Sequence, residues 1–194
     1  MNDKPYNPDD QKILDAFTGV TGGITDTRRL GYLDGRPVDL VTARNSPRAG
    51  VNSYSTIGLS VMPIGYLSGS VYLGSELVGM AAARFDRYID VLSACVDDIL
   101  HLKARLFPGA VYKDAFKNTY PDVHVKHLIF DTPRGWDKDL LTLDLGSRQA
   151  AWLMAVPVTE AELRLYSDSD SGELQDRFDE AKTDLSDLNR ASVA

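Results

Sequence analysis

The chain has 194 residues, 43% of them hydrophobic, and a formal net charge of −7. That length suits one domain, and the apolar content supports a real core rather than a disordered chain. The acidic balance argues against non-specific nucleic-acid binding, which needs a basic surface to displace counterions. The single cysteine, Cys95, excludes an internal disulfide and a cysteine-built zinc cluster. No apolar run approaches the ~18 residues of a membrane span, and the first residues lack the apolar core of a signal peptide. The expectation is a cytoplasmic protein without a membrane segment.

In chain order, Asn7-Pro8 predicts a helix start, with asparagine as cap and proline at the first helical position. Ile13, Leu14 and Phe17 then line one face, and the helix ends by Gly19, Gly22 and Gly23. Asp34-Gly35 predicts a hairpin between strands at 28–33 and 37–43, followed by a loop over 45–50. The stretch Tyr54-Ser-Thr-Ile-Gly-Leu-Ser60 reads as β-rich, with Gly58 marking a bulge or a close backbone approach. Pro63, Gly65, Gly69 and Gly74 punctuate an irregular region before a strand at about 76–82. Ser68-Gly-Ser70 reads as a turn within it.

A long helix is predicted over 84–106, because Phe85, Tyr88, Ile89, Leu92, Cys95, Val96, Ile99, Leu102 and Leu106 fall at helical spacing on one side. Residues 111–120 fit a short helix or a loop equally well. A strand at 123–130 and another at 141–145 follow, the latter turning through Gly146-Ser147. The unbroken apolar run Ala150 to Val156 predicts a strand buried on both faces, and Pro157 should end its pairing. Thr159-x-x-Glu162 is a capping box, with Val158 and Leu163 placed as a hydrophobic staple. Two helical pieces, about 160–166 and 172–182, flank a Ser/Asp-rich loop, and 187–193 either add an edge strand or hang loose. Roughly six or seven strands without regular strand–helix alternation imply α+β. The architecture expected is a mixed, largely antiparallel sheet covered by helices, with one long central helix and a C-terminal helical pair.

Chemistry is harder to find. His124 and His127 lie three apart on the predicted strand and so face opposite ways, and His101 sits on the polar side of the long helix. Cys95 falls on an apolar stripe, where a small core residue is the plain reading. No Gly-x-Ser-x-Gly elbow, dinucleotide fingerprint or P-loop occurs. Asp168-Ser-Asp170-Ser-Gly172 fails as a calcium loop, since Phe178 falls where the bidentate glutamate belongs. No catalytic, cofactor-binding or metal-ligating residue is assigned. What remains is acidic: Glu173, Asp176 and Glu180 share a helical face, and Asp168 and Asp170 lie in the loop before it. Either this face is solvated, or it docks a basic protein.

Four stretches call for comparison as a set: Val38-Asp-Leu-Val41, Tyr54 to Ser60, Trp152 to Glu162, and Asp187-Leu-Asn-Arg-Ala-Ser-Val193. In order and spacing they resemble the suppressor-of-fused domain in its bacterial form, from about Gln11 to the chain's end. The third is the most specific, and Leu59 stands where the family often has methionine. The resemblance implies a single α+β domain over 11–194 after a tail at 1–10, with no known catalytic activity. Animal members hold a transcription factor through an extended peptide, and bacterial members are similar to immunity proteins that neutralise toxins. The function expected on that basis is a protein-binding domain, an immunity protein that occludes a basic toxin. The alternatives are a regulatory scaffold for an extended peptide, and a hydrolase gathering Asp39, Thr56, Ser60 and a histidine in a polar pocket.

Overall fold

The computed structural model describes residues 6–33, 35–68, 71–101, 103–168 and 171–194. Asn7 accepts from the amides of Asp9 and Asp10 at the start of helix α1 (Pro8–Thr21), and Gly22, at φ 84°, closes it through a bond to the Thr18 carbonyl. Strands β1 (Asp26–Leu33) and β2 (Arg36–Ala43) form the expected hairpin. Asp34 of its turn lies outside the described residues, and Gly35 has φ 74°. Strand β3 (Val51–Ile57), a 3-10 turn (Leu59–Val61), β4 (Pro63–Ser68) and β5 (Val71–Ala82) follow. After them come α2 (Tyr88–Leu100), β6 (Val111–Tyr112), β7 (His127–Asp131), β8 (Leu143–Asp144), β9 (Arg148–Val158), α3 (Glu160–Asp168) and α4 (Ser171–Glu180).

The sheet runs β1-β2-β3-β5-β9-β7-β6, with β4 paired to β5 and β8 to β9. Every pairing is antiparallel except β5 with β9. The expected mixed, largely antiparallel α+β sheet is what forms. Its two faces carry separate cores. On one, α2 packs Tyr88, Leu92, Cys95 and Ile99 against Leu40, Leu77, Leu128 and Leu153. On the other, Ile13 and Phe17 of α1 and Leu174 and Phe178 of α4 meet Val41, Val78, Trp152 and Met154. Each such side chain contributes about 1.5–3 kcal/mol on burial. The run Ala150 to Val156 was apolar throughout because β9 lies between both cores.

The long central helix is corrected. The helix spans only Tyr88–Leu100. On its N-terminal side the chain turns at Phe85, whose amide bonds the Ala82 carbonyl, and the Arg87 amide donates to the Tyr120 hydroxyl at 2.6 Å. On its C-terminal side the amides of Lys103 and Ala104 both reach back to the Asp98 carbonyl, which ends the regular ladder. Leu106 still reaches the same core, so the apolar period outlasts the helix. Leu102 lies outside the described residues.

Other boundaries move for similar reasons. Val123 and Val125 are buried, but the amides of His124 and Val125 bond the Leu188 carbonyl of the C-terminal segment, so the strand begins only at His127. The strand expected at 141–145 shrinks to Leu143–Asp144. The region expected to be irregular holds β4 and a long β5; Gly69 and Ser70 of the predicted turn lie outside the described residues. Pro157 does not stop β9, which pairs with β7 through Val158. Its pairing with β5 has already ended at Met154, and on that vacated side the Pro157 carbonyl accepts from Arg190 at 2.8 Å.

Residues 187–193 neither form a strand nor hang loose. Leu188 is fully buried, and Arg190 reaches the first turn of α3. There the capping box forms as read: the Thr159 amide donates to Glu162 at 2.9 Å, and the Glu162 amide to Thr159 Oγ1 at 3.2 Å. Arg190 grips both Glu162 oxygens, at 2.6 and 2.7 Å, and the Val193 amide adds a bond at 3.0 Å. Burial alone would raise the Glu162 carboxyl; the bonds from Arg190 and the two amides outweigh it and hold the group below its ordinary value. Its stabilisation is therefore complete above the ordinary glutamate value of 4.5 and is lost as pH falls through the lower folded value. Urea titrations should show that acid-side loss in the native protein and a smaller one in Glu162→Gln. Arg190→Met, which strands a buried carboxylate, should cost about 3–5 kcal/mol at neutral pH.

Candidate partner-binding surfaces

Helix α4 turns Leu174 and Phe178 into the core, which leaves Asp176 and Glu180 exposed on its outer side. Glu173 is different. It lies in the first turn, where the helix dipole favours an anion, and Arg177 pairs with it at 2.7 Å. Part of the acidic face is thus neutralised from within, as the four-residue spacing of Glu173 and Arg177 could have shown. Asp168 is exposed at the end of α3, and Asp170 lies outside the described residues. The structure therefore brings Asp176 and Glu180 together on open surface, next to a Glu173 already engaged. Leu174, Phe178, Ala181 and Leu185 fall at the spacing of an apolar stripe, but Ala181 is exposed.

A second surface was not assigned to residues from the sequence. Strand β1 pairs with β2 alone among the described strands, so its other edge is open. Asp26 to Arg29 are exposed, and Tyr32 is 66% exposed beneath the Arg29 guanidinium. A backbone irregularity between Arg29 and Gly31 twists this edge. Beside it lies a cleft of about 550 Å³ lined by Asp26, Arg28, Arg44, Asn52, Tyr54 and Asp86. Its charges are largely paired: Arg44 with Asp26 at 3.1 Å, and Arg28 with Asp90 at 2.7 Å. The bond from Arg28 holds the Asp90 carboxyl below its ordinary value.

Of the residues considered for hydrolysis, Thr56 and the Ser60 amide meet at the buried Glu76, and the histidines bond elsewhere. Asp39 is bonded by Tyr6 and Arg29. Thr56 donates to the buried Glu76 at 2.6 Å. His127 is buried, accepting from the Asp114 amide at 3.0 Å while its other nitrogen meets Glu160 at 2.8 Å. His101 and His124 are exposed, and His124 lies outside the strand on which it was expected. The Cys95 thiol is fully buried, and burial pushes its pKa up. Among the described residues no group of three or more His, Cys, Asp or Glu is placed to hold a metal ion. No described helix is long and apolar enough to cross a membrane.

A helix-flanked mixed sheet with an open acidic helix face and an open strand edge has surfaces suited to binding. The chain belongs to the family described as Suppressor of fused protein (SUFU), whose sequence model matches residues 34–191. It is 32% identical over 156 residues to the Immunity protein YqcF of Bacillus subtilis (strain 168), covering 80% of this chain and 81% of that one. Among solved structures, a SUFU homolog from Neisseria gonorrhoeae FA 1090 superposes with a TM-score of 0.71 at 17% identity, covering 95% of this chain and 96% of that one. A chain of the Sufu–Fu complex gives 0.64 at 15% identity, with 96% and 92% covered. Drosophila Suppressor of Fused gives 0.64 at 16%, covering 96% of this chain but 51% of that longer one.

Charge reversal on α4 offers a check on its structural part. Asp176→Lys and Glu180→Lys should leave stability within ~0.5 kcal/mol, whereas Glu173→Lys should cost up to about 1 kcal/mol through the lost pair and the dipole. Thermal or urea unfolding of the three single variants measures the difference.

Proposed function

We propose that this protein is a non-catalytic immunity protein of the cytoplasm, which neutralises a toxin by binding it and occluding its active site or substrate groove. The observation that carries the reading is the 32% identity to an immunity protein across four-fifths of both chains. The net charge of −7 supports a basic toxin, because complementary fields speed association. The contacts proposed are Asp176 and Glu180 of α4, with Glu173 beside them, Asp168 at the end of α3, and Asp170, which lies outside the described residues. Asp176 and Glu180 present unburied carboxylates at no cost in fold stability, which suits electrostatic capture.

A second reading has its own observation. The β1 edge is unpaired among the described strands, and a related fold is known from the Sufu–Fu complex. A regulatory scaffold of this kind would receive an extended peptide as an added strand.

Expressing each reading frame adjoining this gene, with and without this protein, tests the first reading. Growth should be restored only by co-expression, and the two proteins should co-purify. Reversing Glu173, Asp176 and Glu180 to Lys together should then weaken binding at least tenfold at low salt, most of it in the association rate. Unchanged affinity in that variant removes α4 from the interface, and failure to protect removes the immunity reading.

A further inference from the structure

At the opposite end of β5 from the α4 core, Gly74 faces the turn that carries Ser60. A Cβ on Gly74 would lie 1.8 Å from the Ser60 carbonyl oxygen, so the two backbones are in close contact. The Ser60 amide is fixed as well, donating to Glu76 Oε1 at 2.9 Å. Ser60 is 1% exposed and held rigidly, yet its hydroxyl has no partner. A buried hydroxyl without a bond costs about 1–3 kcal/mol, so this one invites a ligand.

The same place holds two guanidinium groups. Arg148 begins β9 in register with Tyr72 and is 8% exposed. Its Nη1 bonds Asp9 at 2.8 Å, whereas its Nε and Nη2 find no hydrogen-bond partner; Asp10 stands 3.7 Å from Nη2. Arg36, at the start of β2, is exposed, and its side chain makes no hydrogen bond or ion pair with the described residues. Together with Tyr72, Gly74 and Ser147, these residues line a pocket of about 360 Å³. Asp9 offsets one of the two positive charges. Asp10 also faces Arg148; burial and then the charge of Glu76 raise its carboxyl, while Arg148 and Arg36 lower it.

We propose that the pocket between Arg36, Ser60 and Arg148 is a binding site for an oxyanion, a phosphate or a carboxylate. Guanidinium forks match the paired oxygens of either group, and the Ser60 hydroxyl supplies a third donor on a rigid floor. Tyr72, 62% exposed at the rim, is placed to cover whatever carries the anion. The site does not depend on the immunity reading, since it lies apart from α4 and uses none of its residues.

Isotope-labelled full-length protein titrated with inorganic phosphate or with acetate, at ionic strength balanced by sodium chloride, tests the proposal. The Ser60 amide and Arg148 Nε–H signals in the nitrogen–proton spectrum should shift saturably with at least one anion. Phosphate binding tighter than acetate assigns a phosphorylated ligand, and the reverse a carboxylate. Arg36→Gln and Ser60→Ala, neither of which removes a bond within the fold, should each weaken binding at least fivefold while the remaining spectrum stays unchanged. An equal response to chloride, the absence of saturation with both anions, or native affinity in either variant overturns the proposal.

Discussion

A carboxylate without water must be answered by donors, and Glu162 is fully buried. Its answer comes from three parts of the chain: the Thr159 amide where β9 becomes α3, the Arg190 guanidinium, and the Val193 amide near the C-terminus. Arg190 is itself 7% exposed, lies over the Phe178 ring of α4 at 5.0 Å, and takes the Pro157 carbonyl. One ion pair therefore fixes the end of the central strand, the start of α3, the position of α4 and the path of the last residues. Net gain in stability is not its main consequence, because burying two charges consumes much of what their attraction returns. It discriminates instead: any other docking of the C-terminal segment would leave a charge buried and alone.

Glu76 solves the same problem elsewhere. Its carboxylate takes the amides of Gly58, Leu59 and Ser60 and the Thr56 hydroxyl. The Thr56 hydroxyl also accepts from the Leu77 amide at 2.8 Å, standing in for a strand carbonyl where β3 leaves β5 after the Ser55–Val78 pair. For three successive amides to converge, the chain must pass through φ 95° at Gly58, where a Cβ would come within 2.5 Å of the Pro37 carbonyl oxygen. That the stretch Tyr54 to Ser60 helped identify the family now has a physical basis: it is the wrapping of one buried anion.

How far these features could be read beforehand depends on how local they are. The capping box, the Asn7-Pro8 helix start, the hairpin and the doubly buried β9 are set by neighbours within a few residues, and each was legible. Gly58 was legible as an anomaly, but its partner Glu76 was not, because the bond joins residues whose proximity only the sheet creates. Arg190 was invisible for the same reason: it lies 28 positions from Glu162. The overlong helix is the converse error. Apolar spacing reports burial against a core, and Leu106 satisfies that from a non-helical segment. On α4 the error was of charge, since counting acids along a face ignored the arginine one turn away.

Unsatisfied buried polarity occurs at both ends of the sheet, at Thr183 and Arg190 near α4 and at the start of β5 and β9. Around α4 the carboxylates that face solvent lose nothing by being free, so that surface can meet a partner or remain hydrated with little difference to the fold. At the start of β5 and β9 the buried groups without a hydrogen bond are the Ser60 hydroxyl, Arg148 Nε, and the Arg148 Nη2 and Asp10 Oδ1 that face each other at 3.7 Å. Here the folded chain leaves donors unsatisfied in a place too constrained to relax, with Gly74 against Ser60 on one side and α1 on the other. Stability alone would favour an apolar replacement at such a position. Donors left without a hydrogen bond beside a pocket are better explained by something that arrives to meet them than by the needs of the sheet.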